Sequence, residues 1–117
     1  MFRGAVRKVK RGKPARFRAF GDSMAGIIRS SERVTVEPVE PARLEAGDVV
    51  IAEVHGVPML HLVREIDAEG HRAEIGGTDG SVNGWTPFDC VYAICTVIGD
   101  APVPGAASKT RAAAETS

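Results

Sequence analysis

The sequence predicts a small, coiled, all-β domain, mainly strand with one short helix, and three observations point there. Aromatic residues make up only 5% and Leu is scarce, while Val and Ile fall in short runs cut by 13 Gly and 7 Pro. β-Branched residues between turn formers favour strands over long amphipathic helices. At 117 residues, 44% hydrophobic and 26% charged, the chain has the length of one domain and an ordinary globular composition, neither disordered nor collagen-like nor disulfide-dense.

Taken in order, residues 1–14 are basic, contain Gly4, Gly12 and Pro14, and read as a flexible arm. From Ala15 to Phe20 polar and apolar residues alternate as in a half-buried strand. Gly21-Asp22-Ser23 then supplies turn and N-cap chemistry ahead of Met24, Ile27 and Ile28, which predicts a tight turn and one or two helical turns. Arg33 to Glu37 alternates again and is ended by Pro38 and Pro41. Val49–Val54 and Pro58–Ile66, linked through His55-Gly56-Val57, predict a hairpin. A turn at Asp67–Gly70, a short strand at Arg72–Ile75 and a glycine-rich loop from Gly76 to Ser81 follow. Three glycines in that loop call for unusual backbone angles or close approach. Val91–Ile98 is the last of six or so strands. Beyond it apolar periodicity stops, so the domain is expected over 15–99 and a disordered tail over 100–117.

A formal net charge of zero conceals an asymmetry. Residues 1–18 carry eight of the fifteen basic residues and no acid; the rest of the chain carries seven basic against fifteen acidic groups. An arm of about +8 ahead of a body of about −8 can grip nucleic acid, lie over its own acidic body or trail in solvent. Apolar runs fall far short of the roughly 18–20 residues of a bilayer span, and no apolar stretch follows the basic N-terminus as in a secretory signal. No membrane association and a cytoplasmic location are therefore expected. Cys90 and Cys95 lie five apart in an apparent strand, on opposite faces, and are expected to be reduced core residues. The three histidines and two cysteines lack metal-ligand spacing, and the glycine loop lacks a phosphate loop's Lys-Ser/Thr ending, so no metal or cofactor is expected. Trp85, beside Asn83-Gly84, reads as a core plug or, second, as the wall of a peptide cleft.

Ser23, His61 and Asp79 each have an ordinary structural explanation, as N-cap, strand histidine and turn former. Their order suits nucleophilic hydrolysis: a serine on a sharp turn, a histidine in a hairpin strand and an aspartate in the next loop. A serine hydroxyl near neutral pH needs a base within hydrogen-bond reach, and the base benefits from an orienting acceptor. Backbone N–H groups at the start of a helical turn can receive the anionic oxygen of a tetrahedral intermediate.

Gly21-Asp22-Ser23-Met24, Val34-Thr35-Val36, Leu44 to Val50, Leu60-His61-Leu62-Val63 and Gly77-Thr78-Asp79-Gly80 resemble the successive motifs of the LexA-like repressor autopeptidases and signal peptidases, over residues 17–98. The resemblance implies a serine peptidase on a coiled, barrel-like β scaffold, with Ser23 as nucleophile and the backbone N–H groups of Ser23 and Met24 receiving the oxyanion. Most members use a lysine base, but this chain has no lysine between Lys13 and Lys109. His61 stands where that lysine would fall, similar to the Ser–His arrangement of archaeal and endoplasmic-reticulum signal peptidases. Asp79 would orient the imidazole. Departures from the family pattern gather beside the serine: Ala25-Gly26 follows Met24 where relatives carry a proline, Ser31-Glu32 replaces a Gly-Asp, and Gly21 offers no hydroxyl to the oxyanion. Asn83-Gly84-Trp85 supplies no second loop aspartate, so the triad rests on Asp79. The implied activity is hydrolysis of a peptide or protein substrate, the chain itself included. The alternative is a catalytically degenerate relative that binds a protein partner, its basic arm touching nucleic acid.

Overall fold

Where the sequence alternates, the chain forms strands. In the computed structural model, which describes residues 2–21 and 24–116, β1 (Ala15–Ala19) buries Ala15 and Ala19 and leaves Arg16 and Arg18 exposed. β2 (Glu32–Pro38) buries Val34 and Val36 in the same way. β3 (Val49–Val54) and β4 (Val57–Asp67) make the expected hairpin. Its connection is His55-Gly56, with φ of 52° and 79°, the left-handed pair that suits a two-residue turn. β5 (Arg72–Gly76), β6 (Val82–Pro87), β7 (Val91–Ile98) and the two-residue β8 (Ala101–Pro102) complete the sheet among the described residues.

The strand order is β1-β2-β7-β3-β4-β5-β6, with β8 on β7 and antiparallel pairing throughout. Register slips between Thr35 and Val36, Ile51 and Ala52, Val63 and Glu65, and Ile75 and Gly76. Such bulges bend a strand and increase its twist, and the sheet curls into a half-barrel. The mainly-β architecture is the one the composition predicts.

The central strands are buried on both faces. Val49 and Ile51 of β3 join Ala93 and Cys95 of β7 in one apolar cluster; Val50, Ala52 and Val54 join Val91 and Ile94 in a second. Successive side chains of a strand point to opposite faces, so two covers are needed, and they come from the two segments expected to be loose. Residues 3–10 are not a flexible arm but α1 (Arg3–Lys10), which buries Ala5 and Val9 in the first cluster. Apolar residues at 2, 5 and 9 make one face, while Arg3, Arg7 and Lys10 stay exposed on another.

The C-terminal segment is likewise ordered rather than a loose tail. Ala106 enters the second cluster, Val39 bridges to Thr110, and α2 (Arg111–Thr116) follows. Lys109 fastens this segment to Asp48 at 2.7 Å and Glu45 at 3.1 Å.

Three local details complete the fold, and the last two are corrections. Of the one or two helical turns expected after the tight turn there is one, in which Ile28 N–H donates to the Met24 carbonyl at 2.8 Å. Gly26, at φ 90°, takes a backbone conformation that an α-helix cannot continue. Cys90 is not in a strand but in the 3₁₀ turn Phe88–Cys90, half-buried, whereas Cys95 is in the core; both are free thiols. Trp85 is not a core plug: it lies half-buried on β6 under the Arg72 guanidinium, 4.6 Å from its ring centre.

Candidate active site

His61 is placed by the hairpin. It sits on β4 opposite Val50, one residue before β4 begins to pair with β5 at Leu62–Gly76. The turn that leaves β5, Gly77 to Ser81, therefore passes beside it. The half-buried imidazole brings Nδ1 to 2.5 Å from the carbonyl oxygen of Leu60. A carbonyl can only accept, so the neutral ring is assigned its proton on Nδ1, which leaves Nε2 as the basic nitrogen.

His61 is among the residues lining an apolar cavity of about 360 Å³, together with Ala19, Gly21 and Met24. Gly21 and Met24 flank the Asp22-Ser23 dipeptide; Ser23, the expected nucleophile, lies outside the described residues. Met24 is buried, and its carbonyl accepts from the N–H groups of both Ile27 and Ile28, so its own N–H heads that turn, where helical geometry provides no partner.

Asp79 is brought to the same neighbourhood but not into the expected contact. The Thr78 hydroxyl donates to the Ala25 carbonyl at 2.8 Å, which ties the glycine loop to the turn that begins at Met24. The Asp79 carboxylate is exposed and accepts the Ser81 N–H at 3.0 Å. Hydrogen bonds from the Ser81 hydroxyl and N–H hold it below the usual carboxylate range; the charge of His61 adds a smaller pull in the same direction. The acceptor at Nδ1 is thus the Leu60 carbonyl rather than Asp79, because Asp79 is engaged by its own turn. Asp79 and His61 still lie within electrostatic reach.

Two glycines of this loop show what their spacing calls for, an unusual backbone angle at Gly80, φ 87°, and a close approach at Gly76. A Cβ built on Gly76 would stand 2.1 Å from the Ser81 carbonyl oxygen, so only glycine lets the loop fold back on the end of β5.

Two contributors escape a reading that treats residues 1–14 as a loose arm. Phe2 and Arg3 wall the cavity beside His61. The signal that finds them is the spacing of Phe2, Ala5 and Val9, three and four apart, as on one helix face. Among the described residues, no group of three or more His, Cys, Asp or Glu side chains could hold a metal ion, and no helix is long and apolar enough to cross a membrane. Neither the family models nor the curated proteins compared with this chain give a match.

Proposed function

We propose that this chain is a serine peptidase of the LexA and signal-peptidase kind, with Ser23 as nucleophile and His61 as general base. Ser23 Oγ attacks the scissile carbonyl carbon while Nε2 of His61 takes its proton. The carbonyl oxygen becomes an anion received by the N–H groups of Ser23 and Met24. Collapse of this intermediate breaks the C–N bond; the imidazolium returns the proton to the departing amine and leaves an ester on Ser23. Water, deprotonated by the same nitrogen, hydrolyses that ester. The Leu60 carbonyl holds the ring in the useful tautomer.

The observation that supports this reading is the shared cavity: His61 lines it together with Gly21 and Met24, the neighbours of Asp22-Ser23 in the chain. Thr78 also brings the Asp79 loop to the same turn. The test is labelling with a fluorophosphonate, located by mass spectrometry. A single adduct on Ser23 is expected, lost in Ser23→Ala and slowed by at least about 100-fold in His61→Ala, as for removal of a general base. Absence of an adduct on Ser23 in the folded wild type overturns the reading. The alternative, a non-catalytic interaction domain on the same scaffold, is favoured by one observation: Asp79 spends its hydrogen bonds inside its own turn. That alternative predicts no adduct.

A further inference from the structure

The apolar cavity does not end at His61. Arg3 and Pro58 also line a second trough of about 400 Å³, with Arg7 and Lys10 of α1 and Gly56 of the β3–β4 turn. The three cations lie at i, i+4 and i+7, on one face of the helix, and all are exposed. One carboxylate, Glu53, shares the trough with them. At the mouth of the cavity Phe20 and Val57 are 58% and 55% exposed. An apolar hole thus continues into a cationic lane.

We infer that this groove selects an extended peptide with an apolar side chain in the cavity and acidic residues along α1. The inference deepens the proposed peptidase reading by naming its substrate class. From Arg3 to Lys10 the helix rises about 10 Å, the length of about three residues of extended chain. Arg3, Arg7 and Lys10 are therefore spread along about three peptide positions, Lys10 with its ammonium 4.7 Å from the Tyr92 ring centre. Only every second side chain of an extended strand points to one side, so two acids in that stretch engage the lane while the apolar residue stays seated. A cavity of about 360 Å³ lined mainly by apolar residues, Phe2, Phe20, Met24, Ile28 and Leu60 among them, with Arg3 and His61 as its polar groups, suits one large apolar side chain better than a phosphate backbone. That contrast favours a peptide over nucleic acid.

The test uses the full chain carrying Ser23→Ala, so that binding is read without turnover. Fluorescein-labelled octapeptides carry a central Leu followed by Asp-Glu-Asp, preceded by Asp-Glu-Asp, or flanked by Asn-Gln-Asn, and their affinities are read by fluorescence anisotropy. One acidic peptide should bind about tenfold more tightly than the neutral one, the gap closing as salt is raised. Arg7→Glu with Lys10→Glu should abolish the preference, the acidic peptides then binding no more tightly than the neutral one. Arg7→Gln with Lys10→Gln should give an intermediate result with circular dichroism unaltered. Equal affinity for all three peptides overturns the inference, as does tighter binding of a single-stranded oligonucleotide of equal charge. If wild type cleaves acidic and neutral peptides alike, the peptidase reading stands and this inference falls. If it cleaves neither while Ser23→Ala keeps the acidic preference, the groove assignment stands and the peptidase reading falls.

Discussion

Gly76→Ala should damage both the fold and the candidate site, and its size can be worked from two contacts. The new methyl would stand 2.1 Å from the Ser81 carbonyl oxygen and 2.4 Å from Arg64 Cδ. The exposed Arg64 side chain can swing aside. The Ser81 oxygen is backbone, held by the Gly77 N–H at 3.1 Å, and must retreat by about 1.3 Å to reach ordinary contact, at roughly 3.4 Å. Overpacking of this kind costs about 1–3 kcal/mol, and the lost Gly77–Ser81 hydrogen bond about 1 kcal/mol more. The smaller conformational freedom of Ala in the unfolded chain returns about 0.5–1 kcal/mol. The net is about 2.5 kcal/mol. For a chain of 117 residues, with an unfolding entropy of about 0.25 kcal/mol per degree, that lowers the midpoint by about 10 °C. Differential scanning calorimetry reads this directly, with Gly4→Ala as control: a Cβ there meets nothing within 4 Å. In helix α1 that change should raise the midpoint by about 2 °C. A Gly76→Ala midpoint within about 2 °C of wild type would refute the reasoning that this close approach holds the Asp79 loop in place.

Other perturbations have defined outcomes. Lys109→Met removes the cation that ties the C-terminal segment to the largely buried Asp48, 11% exposed at its side chain. Because Glu45 is exposed and water screens part of the group, the loss should be about 2 kcal/mol rather than the ~3–5 kcal/mol of a fully buried pair, or about 8 °C by calorimetry. Burial works against the charge on Lys109, but hydrogen bonds to Asp48 and Glu45 outweigh it and raise its pKa above 10.5. The tie should therefore be intact below that pH and be lost as pH climbs through the raised value, read as a falling midpoint in alkaline scans absent from Lys109→Met. Burial pushes the Cys95 thiol up to about 12, so iodoacetamide at pH 8 should label half-buried Cys90 and spare Cys95 until denaturant is added, as peptide mass mapping will report. Asp67 is held below 3.8 chiefly by its hydrogen bond with Arg72, then by the Gly70 N–H, and Asp79 by Ser81. Both turns should keep their hydrogen bonds above that pH and lose them as pH falls through the lowered values, seen as faster amide exchange at Gly70 and Ser81 relative to Ile51.

The sequence displays what it repeats and conceals what it does once. Strands β1 to β5 and β7 are legible because alternation or an unbroken Val-Val-Ile-Ala run maps onto a pleat with a period of two. Strand β6 is not, since Asn83, Gly84 and Pro87 are residues strands avoid; it forms because Gly76 to Arg72 of β5 offers it an edge. Helix α1 is hidden by its charge: eight residues with four cations and no acid look like a solvated arm until Ala5 and Val9 find the exposed face of β1, β2 and β7. The unbroken apolar run of β3 already implied that something must cover both of its faces. At the candidate site, the neighbourhood of His61 and the Asp79 loop follows from hairpin register. The capture of Asp79 by Ser81 and of Nδ1 by Leu60 does not, because both are choices among hydrogen-bond partners one or two residues away.

The middle of the sheet is synthesised late. Strands β2 and β3 both take β7 as partner, yet β7 starts 37 residues after β3 ends. At about 5–20 residues per second, a ribosome needs roughly 2–7 s to cross that gap. Through that interval the nascent chain carries two ribbon margins with nothing zipped to them, rich in Val and Ile, and able to stitch onto a neighbouring polysome product instead. Slower translation between Val54 and Val91, or a smaller supply of holdase during it, should therefore lower the yield of native protein.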